Sequence, residues 1–394
     1  MSVLKLRNGL LFNGKSFGAE ITKSIYGEGT QLVIIVVVFT TSMVGYPESC
    51  TDPSYKEQIL VFTQPLMGNY GVPGNCKDEF GLSKYFESDR IQVKGVIVAD
   101  YAAKFSHWNA TESFGSWLKK FGVYGIHGVD TRQLVHILRD EGTMLGSIAK
   151  SESDTHIGQD FQNMNMIETV SNKGIKAYNP KGAYKIMLIG KFILLNQDCG
   201  VKNNIIRCLA KRNAHVYTVP WDYDILSDPA NIKPDGVLIS NGPGSPLNSN
   251  TTVENLKKFM KSQQLLNYSI PIFGICMGNQ LLGLAAGFKV EKLLYGNRGH
   301  NQPVINMETQ KCMLTSQNHG YALIDAEPND IPKGWKTFFK NANDGSNEGI
   351  KHLTKPWSSV QFHPEAMGGP LDTMGLFDDF INQVIQSRSV NSLI

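Results

Sequence analysis

Pro271-Ile272-Phe273-Gly274-Ile275-Cys276-Met277-Gly278-Asn279-Gln280 decides the fold. An apolar run reaches Gly274, Cys276 follows two residues later, and Gly278 precedes the apolar stretch Leu281-Leu282-Gly283-Leu284-Ala285-Ala286. The pattern predicts a buried strand, a sharp turn and the start of a helix, with Cys276 exposed at the turn. There it would face the first unpaired N–H groups of the helix. Those groups and the helix dipole favour thiolate over thiol. The glycines permit the steep turn and leave bare backbone for a substrate to approach. A buried structural cysteine in an α/β protein suits the stretch equally well, and the rest of the chain separates the two readings.

Working outward, the flanking sequence alternates strand and helix from Lys185 onward. Strand candidates are Ile186–Leu195, Val216–Val219, Gly236–Ile239 and Ile272–Ile275, and helices are expected at Asn203–Arg212 and Val253–Gln264. That alternation predicts a doubly wound, mostly parallel sheet. In such sheets sites open at the carboxyl ends of strands. Two loops follow strands there, Ser240-Asn241-Gly242-Pro243-Gly244-Ser245-Pro246 and the Cys276 turn.

The chain before about residue 175 reads differently. Leu10–Lys15 suggests a strand and then a turn, and the apolar run Leu32–Phe39 a buried strand too short to span a bilayer. Gly45–Tyr55 is rich in turn formers and side-chain oxygens, the composition of a surface loop that can present hydroxyls. Further strands are expected at Ile59–Phe62 and Ile91–Val98, and helices at Phe114–Phe121 and Arg132–Asp140, the latter capped by Asp130. The fold class expected is therefore α/β. A mixed N-terminal domain (1–175) and a linker (176–184) precede the doubly wound domain (185–388) and a tail (389–394).

The 394 residues allow two or three domains, and 41% hydrophobic against 19% charged residues is globular composition. A formal net charge of +3 gives no reason to expect nucleic acid or a membrane surface as a partner. The six cysteines form no CxxC pair, so neither a metal site nor a disulfide framework is expected, and a reducing compartment fits.

A thiolate nucleophile needs a base and a group that orients the base. Val360-Gln361-Phe362-His363-Pro364-Glu365 supplies both. In an extended segment, two-residue spacing puts His363 and Glu365 on one face, so the carboxylate can fix the tautomer while the other ring nitrogen faces Cys276. His319, in Ser316-Gln317-Asn318-His319-Gly320-Tyr321, is the competing base, but no carboxylate adjoins it in sequence.

Together, the Ser240–Pro246 loop, the Cys276 elbow and the 361–365 segment resemble, in order and spacing, the three signatures of the class I glutamine amidotransferases. Gly45-Tyr46-Pro47-Glu48, Thr51–Tyr55, Gly68-Asn69-Tyr70-Gly71, Gly128–Arg132, Gly296–Pro303 and Asn343–Gly349 further resemble the small, glutaminase subunit family of carbamoyl-phosphate synthetases. The resemblance runs from about Leu10 to Phe380. It implies that Cys276 attacks the side-chain amide of glutamine, that His363 protonates the departing ammonia, and that water hydrolyses a glutamyl thioester. The oxyanion would be held by N–H groups of Met277 and of Gly242 or Gly244. It further implies that Ser54, Gly242, Gly244, Met277, Gln280, Asn318, Gly320 and Tyr321 hold L-glutamine, which turns the 45–55 loop from a plain surface feature into part of a site.

The partner implied is a large synthetase subunit or a fused synthetase domain, which would hold ATP, Mg and bicarbonate; no glycine-lysine phosphate loop is present in this chain and no cofactor is expected on it. The location expected is cytoplasmic, or mitochondrial if the chain is of the urea-cycle type, although no Arg-rich transit peptide is visible. The apolar stretches at 32–39 and 186–197 are longer than the family's strands there, and Asn279 stands where the family often has histidine. Asn279 is outside the triad and activity is expected to survive there, but the two apolar stretches, with relatives of the family that have lost activity, motivate an alternative reading, a non-catalytic regulatory or docking subunit. A generic cysteine hydrolase is a third, opposed by the Ser54 and 318–321 loops.

Overall fold

The computed structural model describes residues 2–20, 35–154, 174–190, 200–264 and 269–391. They form two compact units. The first comprises the described residues within 1–77, 83–154 and 294–299, and the second those within 78–82, 174–293 and 300–391. No helix among the described residues is long and apolar enough to cross a membrane.

The first unit is built on a closed barrel. In order around it run Ser2–Leu6, Met144–Ala149, Val36–Thr40, Ile59–Phe62, Gly95–Ile97, Tyr124–His127 and Leu11–Gly18, which pairs back onto Ser2–Leu6. Closure leaves no barrel edge to template unwanted pairing. Leu11–Gly18 continues straight through Asn13-Gly14, where the sequence suggests a turn. The reason is packing: a Cβ at Gly14 would come within 2.5 Å of the His127 carbonyl, so the glycine serves a close strand contact instead. Of the apolar run at 32–39, residues 32–34 lie outside the described residues, and Val36–Thr40 pairs parallel with Ile59–Phe62. Gly45–Tyr55 is no plain loop. It folds into the helix Tyr46–Thr51 and the 3-10 turn Pro53–Tyr55, whose residues Pro53, Ser54 and Tyr55 are all buried. The helix Thr131–Asp140 is capped as expected, with Asp130 Oδ1 accepting from the Gln133 N–H at 2.9 Å.

The second unit carries a ten-stranded sheet. Its parallel heart runs Ala214–Val219, Tyr184–Ile189, Gly236–Ile239, Ile272–Ile275, Trp357–Val360. Antiparallel strands extend it through Asn347–His352 and Trp335–Asn341 on one side, while Lys176–Tyr178 adds an antiparallel edge on the other. The stretch 176–184, expected as a linker, thus starts as an edge strand, and the helix Gly375–Asn391 runs on into the expected tail. The strand expected at Ile186–Leu195 spans Tyr184–Ile189; residues 191–199 lie outside the described residues.

Strands of the parallel heart are buried on both faces, and the two-residue alternation sorts their side chains into two cores. Ile186, Leu188, Leu238, Phe273 and Ile275 enter one core with Ile205, Leu209, Phe377 and Phe380 from helices Asn203–Ala210 and Gly375–Asn391. Met187, Ile189, Val237, Ile239 and Ile272 enter the other with Leu256 and Phe259 of Asn250–Gln264 and Leu281 and Leu282 of Met277–Ala286.

At the elbow these layers approach closely. Ile239 pairs with Gly274 across the two central strands. A Cβ on Gly278 would fall inside the contact shell of the Ile239 carbonyl, and one on Gly274 would come within 2.6 Å of the Gly278 carbonyl. Both positions are therefore restricted to glycine by backbone, which cannot swing aside. Gly278→Ala should cost on the order of 2 kcal/mol through this overpacking and lower the melting temperature. Gly375→Ala, where nothing lies within 4 Å, should leave it unchanged. Calorimetry of the two variants makes the comparison.

Candidate active site

Cys276 sits between the strand Ile272–Ile275 and the helix Met277–Ala286, as the N-terminal flanking residue of the helix. Its backbone has φ 56° and ψ −104°, a sparsely populated region for a residue with a Cβ, where strain of about 1–3 kcal/mol has to be overcome by surrounding structure. The N–H of Cys276 donates to the Val360 carbonyl at 2.8 Å, and its own carbonyl accepts from Asn279 at 3.0 Å. The turn is thus tied to the neighbouring strand and to the helix at once.

The cysteine is buried, not exposed, with 3% of its surface accessible. The strand Cys312–Leu323 accounts for the difference: Cys276 Sγ donates to the Asn318 carbonyl at 3.7 Å. That strand lies well downstream of the elbow, so local sequence around Cys276 carries no sign of the cover.

Beyond the end of Trp357–Val360 the chain bends instead of staying extended, and His363 N–H donates to the Ser316 carbonyl at 2.8 Å. His363 and Glu365 nonetheless meet, with Nδ1 2.7 Å from Glu365 Oε1. Since a carboxylate oxygen accepts, Nδ1 carries the hydrogen. His363 Nε2 is buried and makes no hydrogen bond of standard geometry, which leaves it to the thiol and to whatever binds beside it. Burial pulls the His363 pKa down, and so does Lys202. Glu365 and Cys276 outweigh both and hold it up at about 10. Burial would raise Glu365, but His363 and Lys202 keep it below the ordinary carboxylate range.

Lys202 is a site residue that the sequence reading did not find. Its Nζ lies 3.5 Å from Glu365 Oε1, with both side chains buried. Its N–H donates to Asn241 Oδ1 at 3.4 Å, and Ser240 Oγ donates to the same oxygen at 2.9 Å. The lysine therefore joins Glu365 to the glycine loop at 240–246. Asn204 Nδ2 donates to the Glu365 carbonyl, and Arg207 connects Asn204 Oδ1 to Asp78 Oδ2, each at 2.7 Å. Lys202 caps the helix Asn203–Ala210, Asn204 lies in its first turn and Arg207 in its last. Without a local partner in sequence, none could be distinguished from ordinary helix residues.

The other expected residues are found as follows. Gly242 is buried and Gly244 exposed, with φ 89° at Gly244, a backbone conformation that suits glycine. Both follow Gly236–Ile239, the strand beside the elbow strand. Met277 opens the helix and is buried in its core. Gln280 Nε2 donates to the Tyr321 carbonyl at 3.0 Å and to Gln361 Oε1 at 3.1 Å. Asn318, Gly320 and Tyr321 lie on Cys312–Leu323. Asn279 is fully buried, accepting from Ser359 Oγ at 2.8 Å and donating to Gln361 Oε1 at 3.2 Å. Ser54 belongs to the first unit, buried, its N–H donated to Asp52 Oδ1 at 2.9 Å. His319 has no carboxylate beside it in sequence, but the fold brings one to it. Glu348 Oε1, on Asn347–His352, is 3.8 Å from its Nε2; the pairing is made by strand packing and not by adjacency in the chain.

Residues 195–383 match the family Glutamine amidotransferase class-I, and residues 4–148 match Carbamoyl-phosphate synthase small chain, CPSase domain. The chain is 47% identical over 397 residues to the carbamoyl phosphate synthase arginine-specific small chain of Saccharomyces cerevisiae, covering 98% of this chain and 90% of that one. The proteins of the same description from Candida albicans and Schizosaccharomyces pombe are each 48% identical, over 100% and 98% of this chain and 87% and 88% of theirs. The chain belongs to the carbamoyl-phosphate synthase small-chain family, and its second unit carries the class I glutamine amidotransferase domain.

Lys202→Met tests the electrostatics. Without the ammonium, Glu365 is protonated at higher pH, so the acid limb of the activity profile should move upward. Activity at neutral pH should fall, because one partner of a buried charge pair has been removed. A pH–rate profile of wild type and variant reads both.

Proposed function

We propose that this member of the carbamoyl-phosphate synthase small-chain family hydrolyses L-glutamine at the Cys276 elbow and passes the ammonia to a large synthetase chain. The observation that carries the reading is the convergence of Cys276, His363 and Glu365 at the carboxyl ends of the neighbouring parallel strands Ile272–Ile275 and Trp357–Val360.

In this reading the Cys276 thiolate adds to the amide carbon of the glutamine side chain. The oxyanion that forms is met by backbone N–H groups of Met277 and of Gly242 or Gly244, fixed in place before the charge develops. His363, held protonated by Glu365, gives its Nε2 proton to the nitrogen as the C–N bond breaks, and ammonia leaves. The glutamyl thioester remains on Cys276. Neutral His363 then takes a proton from water, hydroxide adds to the thioester carbon, the C–S bond breaks, and glutamate leaves as the thiolate is regenerated. Glu365 keeps Nδ1 protonated throughout and stabilises each imidazolium that appears.

Ser54, Gly242, Gly244, Met277, Gln280, Asn318, Gly320 and Tyr321 are assigned to holding glutamine. Support comes from the position of Gln280 and Tyr321, which are bonded to one another within the helix–strand contact that covers the thiol. ATP, Mg and bicarbonate are assigned to the large chain, where ammonia would be converted to carbamoyl phosphate. The arginine-specific description shared by the relatives supports service to arginine biosynthesis.

The test is glutamate and ammonia release from glutamine by wild type and by Cys276→Ser. Loss of the thiolate should lower the rate at least a thousandfold, the scale seen when a covalent nucleophile is removed. Equal rates would remove Cys276 from the role of nucleophile.

A further inference from the structure

The strand Cys312–Leu323 holds three parts of the thiol site. Ser316 O accepts from His363 N–H, Asn318 O from the Cys276 thiol, and Tyr321 O from the Gln280 amide. A second buried acid–base pair, His319 with Glu348, is fastened to this strand, and the thiol chemistry makes no use of it.

His319 Nδ1 is 3.0 Å from the Tyr321 carbonyl, and Nε2 is 3.2 Å from Gln317 Oε1. Both partners are oxygens that only accept. The Gln317 amide is oriented from its other end, where Nε2 donates to Thr315 Oγ1 at 3.2 Å and reaches the Glu348 carboxyl. A neutral imidazole has one N–H, so one ring lone pair would face an oxygen lone pair. An imidazolium donates to both oxygens. Glu348 is fully buried and 3.8 Å from Nε2; its Oε1 accepts from Asn341 Nδ2 at 3.0 Å.

The groups that face Glu348 are His319 and Gln317 from this strand, Asn341 from Trp335–Asn341, and Asp344 from the following turn. Burial pushes its carboxyl up to about 8, Asp344 acts in the same direction, and Asn341 and Gln317 oppose them. The buried carboxyl thus gives up its proton at neutral pH only against a nearby cation, and the imidazole is placed to become that cation.

We propose that His319 and Glu348 form a buried imidazolium–carboxylate pair in which the ring carries the proton, which makes Glu348 a positioning residue for the glutamine site. The proposal rests on the glutaminase reading above for its substrate. The Tyr321 carbonyl is then held from two sides, by His319 Nδ1–H and by Gln280 Nε2–H. Neutralising Glu348 takes the charge from the ring, and the 318–321 backbone that would lie against glutamine loosens. Substrate binding weakens, while the chemistry at Cys276 and His363 proceeds once glutamine is bound.

The experiment combines imidazole 15N NMR of the full chain with kinetics. The resonances of His319 are assigned by their absence in His319→Asn. At neutral pH the wild-type ring should carry protons on both nitrogens, and in Glu348→Gln on one. Glu348→Gln should raise KM for glutamine about tenfold, within the range of coupling between contacting residues, with kcat within twofold. Glu348→Asp, which keeps the charge, should restore the doubly protonated ring. The double variant with His319→Asn should be no worse than His319→Asn alone. A neutral ring in wild type, or additive effects in the double variant, overturns the proposal. The wild-type spectrum alone decides it should Glu348→Gln fail to fold. Failure of the glutaminase reading would appear instead as equal turnover by wild type and Cys276→Ser, leaving the NMR result untouched.

Discussion

Gly278 against the Ile239 carbonyl is the contact on which the site depends. The helix Met277–Ala286 can approach the parallel sheet this closely only where no side chain intervenes. The approach forces the chain to leave the strand at Ile275 and enter the helix at Met277 in one residue. That residue is Cys276, and its positive φ is the result. Strain at the cysteine is offset by what the turn brings together: a hydrogen bond to Val360 and two apolar cores packed on opposite sheet faces.

A buried charge network completes the site. Glu365 Oε1 receives both the His363 ring and the Lys202 ammonium, so one carboxylate oxygen orders the base and anchors the segment next to the glycine loop. Charges taken out of water are costly unless each has partners. Here Lys202, Glu365 and His363 compensate one another, and Arg207 with Asp78 forms a second, direct pair that Asn204 links to the Glu365 backbone. The arrangement favours imidazolium at His363, the form that can deliver a proton to a departing amine.

Much of this was legible in the sequence because it is local. The apolar run, the two glycines and the following helix pattern fix the elbow within ten residues, and two-residue spacing brings His363 to Glu365 even though the backbone bends there. The β-α alternation after Lys185 gives the parallel sheet. Features made by distant segments were not legible. The barrel closes through pairings such as Val3 with Ala149, which no window contains. The burial of Cys276 comes from Asn318, and the Lys202–Glu365 and His319–Glu348 pairs join residues that look unpartnered in the chain. Gly14 was misread for a related reason: a turn glycine and one pressed against a neighbouring strand are identical in sequence. Ser54 was assigned through resemblance alone, since its 3-10 turn has the composition of a surface loop.

The central claim is that the strained elbow presents Cys276 as the atom that takes up the substrate's acyl group. Mass spectrometry of acid-quenched protein during turnover of glutamine tests it most directly. The account predicts a glutamyl adduct on the peptide containing Cys276 that is absent from Cys276→Ser. No adduct on any cysteine during active turnover, or an adduct on Cys208 or Cys312 instead, would contradict it.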